Sequence, residues 1–258
     1  MHIAIEQILL LCLAAFAAGF VDAIVGGGGL IQTPVMLVTL SAFPVVNVIG
    51  STKIPSFCGT LLAARQYLKK VRVRMVLTGI MCTLAFLASF AGSQVLTVAR
   101  NDFMKPVLLV VLAAVAVYTY IKKDFGQRVA RSLPPRRLLW LGVAVSVVIG
   151  FYDGFIGPGA GSFLILAFVS LLGFDFLQAS ATAKLVNLAT NLGSIMLFSL
   201  KGKIIWVVAL PMAVCNALGG WLGARLAIAR GNRFIRIFFL IIVIGTLLRF
   251  AYDVIKGR

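Results

Sequence analysis

Acidic residues are scarce in this chain: Asp and Glu number 7 among 258 residues, against 24 Lys and Arg and a single histidine. Charged residues of all kinds make up only 12%, roughly half the share usual in soluble domains. So few charges cannot cover a water-facing surface, which excludes an ordinary soluble fold. The lone His2 and four scattered cysteines (Cys12, Cys58, Cys82, Cys215), none in C-x-x-C spacing, exclude a zinc or iron–sulfur centre, so neither metal nor other cofactor is expected. No Ser/His, His/Glu or paired-Asp constellation stands ready for an intramembrane enzyme. The N-terminus lacks the positive start of a signal peptide and carries Glu6; the stretch MHIAIEQILLLCLAAFAAG therefore reads as a retained first helix.

What is present is hydrophobic: 61% of residues. Met75–Ala99 runs 25 residues without a charge and Ile204–Ala224 runs 21. Each is long enough to cross a hydrocarbon core of about 30 Å as a helix. The expected class is an all-α polytopic membrane protein, with the lipid bilayer as its main surroundings. A net charge of +17 suggests a nucleic-acid partner only where a soluble fold offers a basic face; none is available here, and no nucleic acid is expected.

Sliding the chain by 131 positions aligns 19–123 with 150–254 without a gap, giving 18 identities in 105 positions. The polar matches carry the weight. Gly19, Phe20, Asp22, Gly26 and Gly28 fall on Gly150, Phe151, Asp153, Gly157 and Gly159; Lys53 falls on Lys184, and Gly92 on Gly223. The chain reads as a duplicated half: a first repeat at 1–123, a basic linker at 124–137 and a second repeat at 138–258. Five hydrophobic segments are expected per half, roughly 3–22, 29–43, 46–68, 74–98 and 104–121, then 138–152, 160–173, 177–199, 204–224 and 234–251. The second of each half is short enough to be tilted, half-spanning or re-entrant.

An odd number per half sets the halves in opposite orientations. Loop charge agrees with that reading: in a ten-segment arrangement fifteen Lys and Arg lie on one side, in 65–74, 122–137 and 225–236, and seven on the other. By the positive-inside rule the richer side is cytoplasmic, which places both termini outside. The setting expected is the cytoplasmic (inner) membrane, bacterial in type. The sequence carries no signal of oligomeric state, transport direction or coupling ion.

Inverted repeats with interrupted helices are a common plan of secondary transporters, with substrate held near the midplane between the repeats. The interruptions here are the run Gly26, Gly27, Gly28, Gly29 and its mate Gly157, Pro158, Gly159, Ala160, Gly161. Such strings do not sustain a helix, and non-helical backbone at membrane depth belongs beside a wet cavity or under protein cover. A helix starting there turns its positive dipole end toward the cavity, favouring an anion. Close helix packing is the alternative use for such glycines. A phosphate loop is excluded, since no Gly-Lys-Ser/Thr follows; Gly50–Ser51–Thr52–Lys53 resembles one only superficially.

Lys53 and Lys184 stand inside hydrophobic segments, with Ser51 and Thr52 beside the first and Thr182, Asn187 and Asn191 beside the second. An ammonium at bilayer depth costs at least about 2.5–3.5 kcal/mol and by default marks a functional site. Snorkelling to the interface is the alternative for the lysines, and interhelical bonding for the asparagines. Asp22 and Asp153, four residues before each glycine run, are candidates for carrying a proton or pairing with the lysines; an ordinary helix cap is their structural alternative.

The duplicated GF-x-D-x-x-x-G-x-G pattern at 19–28 and 150–159, with GSTKIPSFCGTLLAARQY at 50–67 and ATAKLVNLATNLGSIMLF at 181–198, resembles the TauE/SafE (sulfite exporter) family across essentially the whole chain. That resemblance implies an integral membrane permease for sulfur-containing anions such as sulfite, sulfoacetate and other sulfonates. Departures are Pro158 in place of a glycine, and Ser56 and Thr60 where the second half has Asn187 and Asn191. The expected function is secondary transport of small sulfur-containing anions by alternating access; the alternatives are an anion channel sharing the same cavity or a transporter of a non-sulfur organic anion, and flux saturation with counterflow separates carrier from channel.

Overall fold

A computed structural model describes residues 3–99 and 133–255, with side chains as far as 231. The expected segment at 104–121 lies outside the described residues, as does most of the linker at 124–137. Among the described residues the chain is entirely helical. Its helices are α1 (Ile5–Val25), α2 (Gly29–Thr39), α3 (Val45–Leu68), α4 (Met75–Val98), α5 (Pro135–Phe155), α6 (Ala160–Ser170), α7 (Phe176–Leu200) and α8 (Trp206–Ile255). Among the described residues six stretches are long and apolar enough to cross a membrane: α1, α3, α4, α5, α7 and the Trp206–Gly231 part of α8. With α2 and α6 at 11 residues each, about 17 Å at 1.5 Å per residue, those two reach only half the hydrocarbon thickness.

Local chemistry explains the boundaries. α1 ends at Gly26, whose left-handed φ of 79° lets its N–H bond Asp22 O at 2.8 Å. α7 begins with Asp175 accepting from the Gln178 N–H at 2.9 Å, an ordinary N-cap. The helix expected from 138 starts three residues earlier, because Pro134 and Pro135 fit a first turn whose amides lack partners anyway. The break expected between 224 and 234 comes at Gly231 (φ 69°, ψ −167°), so α8 stays helical through Arg225 and Arg230.

Packing follows the 131-residue offset. α1 packs along α8 as α5 packs along α4, and α3 against α8 as α7 against α4. The same residues recur at the seams: a Cβ at Gly92 would lie 2.2 Å from Phe151 O, and one at Gly223 2.3 Å from Phe20 O. Phe20 and Phe151 are themselves offset mates. Each half thus lays its first helix on the fourth helix of the other. Large apolar side chains such as Leu9, Leu13, Val76, Leu87, Val148 and Leu210 are exposed on the outside, the surface lipid tails would cover.

Candidate functional site

The two glycine breaks meet back to back. Gly26 O accepts from the Ser162 N–H at 3.0 Å, and Ser162 Oγ donates to Val25 O at 2.9 Å. A Cβ at Gly26 would lie 2.3 Å from Gly161 C, and one at Gly29 would lie 3.1 Å from Pro158 Cα. Gly157 and Gly159 hold left-handed φ values of 98° and 83°. These glycines therefore serve both readings: they break the helices, and they let two backbones touch.

Beside this contact the buried charges pair crosswise. Lys53 on α3 reaches Asp153 on α5, Nζ to Oδ1 at 2.9 Å, and also donates to Asp153 O. Lys184 on α7 reaches Asp22 on α1, Nζ to Oδ2 at 2.7 Å, and also donates to Asp22 O. The two pairs are related by the 131 offset, and each joins one half to the other. The lysines are 3% and 1% exposed, far too deep to snorkel. A buried ammonium needs a counter-charge and further acceptors; a carboxylate plus its own main-chain carbonyl supply both.

The narrow cavity beside the two pairs has a volume of about 30 Å³, space for roughly two waters. Asp22, Gly26, Gly29, Thr52, Lys53, Asp153, Gly157, Gly159, Gly161, Asn187 and Asn191 line it. Gly27, Gly28, Ser51, Thr182 and Lys184 do not. Ser51 Oγ instead donates to Asn47 O at 2.6 Å and caps α8 by accepting the Ile205 N–H at 2.8 Å. Thr182 Oγ1 turns back onto Gln178 O at 2.8 Å. Lys184 lies behind Asp22. Thr33 and Ser56 also line the cavity; Ser56 was met in the sequence only as a departure from its mate Asn187, and Thr33 not at all. Ser56 is the offset mate of Asn187, a signal that was there to be followed; Thr33 aligns with Leu164 and carries none.

The asparagines are bound into the site. Asn187 Nδ2 donates to Asp153 Oδ2 at 3.1 Å, Thr190 Oγ1 donates to the same oxygen, and Asn191 Nδ2 donates to Asn187 O at 2.8 Å. Behind Thr190, Ser89 Oγ donates to Thr190 O at 2.7 Å, and Ser93 Oγ donates to Ser194 Oγ at 2.9 Å. Their offset mates are Gly220, Ala224 and Ala63 for Ser89, Ser93 and Ser194, so the polar cluster beside the second break has no copy. Around the first break a different one forms: Asn216 Nδ2 donates to Gln32 Oε1 at 2.9 Å, and Gln32 Nε2 donates to Thr52 O at 3.1 Å. Sequence reasoning passed over Gln32, Asn216 and the serines because single polar residues in apolar helices carry no spacing signal.

Residues 11–250 match the family model described as Sulfite exporter TauE/SafE. The chain belongs to the TauE/SafE family. A probable membrane transporter protein of Haemophilus influenzae is 34% identical over 255 residues, covering 98% of each chain. Probable membrane transporter protein ORF9 of a Sinorhizobium species is 33% identical over 251 residues, 97% of this chain and 95% of its own. Probable membrane transporter protein YfcA of Escherichia coli is 31% identical over 241 residues, 93% of this chain and 87% of its own. No solved structure matches the chain. TauE/SafE membership, the transporter relatives and six membrane-length apolar helices make this an integral membrane protein of a transporter family.

Proposed function

We propose that this TauE/SafE protein is a secondary carrier of small sulfur-containing anions, sulfite or sulfonates, working by alternating access of two five-segment halves inverted in the membrane. The observation that carries the reading is the cavity where both helix breaks and both crossed ion pairs come together. Its carboxylates are already engaged by lysines, while Thr33, Thr52, Ser56, Asn187 and Asn191 add hydroxyl and amide groups. Most of these groups are donors now bonded inside the protein, Asn187 to Asp153, Asn191 to Asn187 O and Thr52 to Ile49 O. Each one that turns toward the cavity needs an acceptor there, since a buried donor left unmet costs about 1–3 kcal/mol. An anion with three equivalent oxygens meets more of them than a carboxylate with two. The family model's own description names sulfite export, in agreement with that preference.

Proteoliposomes preloaded with unlabelled sulfoacetate should take up labelled sulfoacetate by counterflow, with saturation; large conductance without counterflow would mean a channel. Sulfite and sulfonates should compete ahead of acetate, with chloride poor. Acetate competing as well as sulfite would overturn the donor argument.

The proposed cytoplasmic-membrane topology makes a separate prediction. Arg72→Cys and Arg230→Cys, made one at a time in a cysteine-free background, should both label from the cytoplasmic face with an impermeant maleimide. Labelling from opposite faces would end the inverted ten-segment arrangement.

A further inference from the structure

The two lysine–aspartate pairs share a geometry and differ in everything around it. Asp153 is buried, its side chain 5% exposed, and both its oxygens are engaged: Lys53 at 2.9 Å on Oδ1, Asn187 at 3.1 Å and Thr190 on Oδ2. Asp22 keeps 19% of its side chain exposed. Among the described residues it receives Lys184 at 2.7 Å on Oδ2 and only a long 3.4 Å contact from the Gly28 N–H on Oδ1. The cause is in the sequence. Where the second half has Asn187 and Thr190, the first has Ser56 and Gly59, and the space at Gly59 is taken by Asn216, whose Oδ1 would lie 1.9 Å from a Cβ there.

Resting on the carrier reading above, we propose that Asp22 is the carboxylate that takes up a proton during transport, while Asp153 stays ionised and serves as a fixed strut for Lys53. A proton placed on Asp153 would set O–H against N–H and O–H donors already aimed at it, and donors to the charged form favour that form. Asp22 lines the cavity and has one weakly engaged oxygen, where a proton arriving through water can bind.

Protonation of Asp22 neutralises it and leaves Lys184, 1% exposed, as a buried cation whose carboxylate partner no longer carries charge. Such a cation is strongly unfavourable alone. A monoanion in the cavity restores neutrality once the neutral Asp22 side chain, which stands between the cavity and Lys184, turns aside. Proton and anion therefore bind together, one of each, with no net charge in the loaded site. The groups facing Asp22 are Lys184 from α7, Lys53 from α3 and Asp153 from α5 through the shared cavity, and Tyr67 of α3, whose hydroxyl donates to the neighbouring Ala23 O at 3.0 Å. α2 and α6 carry no ionisable side chain, and α8 meets this stretch of α1 with Gly219 and Gly223.

Infrared pH titration of the purified full chain tests the assignment, run without substrate and again with methanesulfonate, a monoanionic sulfonate whose charge should strengthen the band. Wild type minus Asp22→Asn should show a titrating carboxylic-acid C=O band, wild type minus Asp153→Asn should not, and carboxylates common to both proteins cancel. A null difference for Asp22→Asn overturns the proposal, and that single variant decides the matter should Asp153→Asn fail to fold. In proteoliposomes with a pH-indicator dye, uptake of monoanionic methanesulfonate by wild type should carry protons. Asp22→Asn should carry no protons with whatever methanesulfonate it still moves; protons still moving with methanesulfonate in that variant would also overturn the proposal. If wild type does not move methanesulfonate at all, the substrate reading fails and the infrared band alone decides the proton site.

Discussion

Replacing Lys53 with Met should destabilise the detergent-solubilised protein by about 3–5 kcal/mol, the size of effect found when one partner of a buried ion pair is removed. The residue left behind explains the magnitude. Asp153 is 4% exposed and would keep only Asn187 and Thr190 as donors, so a buried carboxylate would lose its counter-charge. Adding Asp153→Asn to Lys53→Met should recover a large part of the loss, because the pair then leaves together and the amide can still accept from Asn187 and Thr190. A double-mutant cycle read by unfolding in mixed micelles measures this. Additive single losses would mean the pair contributes nothing as a pair. Lys184→Met should cost less, since Asp22 is partly exposed and can draw water from the cavity.

The second large effect is expected at Gly26. An alanine there meets two penalties at once: a left-handed φ of 79°, and a Cβ 2.3 Å from the Gly161 carbonyl carbon. The first costs about 1–2 kcal/mol, and the second adds an overlap of backbone on backbone, where overpacking in cores costs typically 1–3 kcal/mol. Two controls separate them. Gly202 also has a positive φ, 62°, with nothing within 4 Å of its would-be Cβ, so Gly202→Ala pays for conformation alone. Gly79 is an ordinary helical glycine with open space, and Gly79→Ala should be neutral. Folded yield after extraction, followed by thermal unfolding, should rank Gly26→Ala far below Gly202→Ala, and Gly202→Ala below Gly79→Ala. Equal behaviour of Gly26→Ala and Gly202→Ala would mean that the contact between the breaks yields at little cost.

Much of the helix pattern was legible because hydrophobic runs and their glycine punctuation are local signals. α2, α3, α4, α6 and α7 begin within a residue of where composition places them, and the short second segments stand out by length alone. The glycine breaks and the four buried charges also announce themselves, since Gly strings, Lys and Asp are costly in apolar helices. What could not be read was partnership. Lys53 and Asp153 are 100 residues apart and Lys184 and Asp22 are 162 apart, and nothing local says that each lysine serves the opposite half instead of its own. Nor could the sequence say which hydroxyl and amide neighbours of the lysines line the cavity: Thr52, Asn187 and Asn191 do, Ser51 and Thr182 do not. Hydroxyls in helices bond the preceding turn readily, and both do so here.

The crossed pairs also bear on how the chain is made. Residues emerge in order, so Asp22 and Lys53 enter the membrane well before Lys184 and Asp153 exist. Through that interval the first half holds a carboxylate and an ammonium whose final partners have not yet been synthesised. They must pass that time hydrated, held temporarily to each other, or shielded by insertion machinery. The half-made protein is therefore a poor resident of lipid, and its release into the bilayer is coupled to the arrival of the second half.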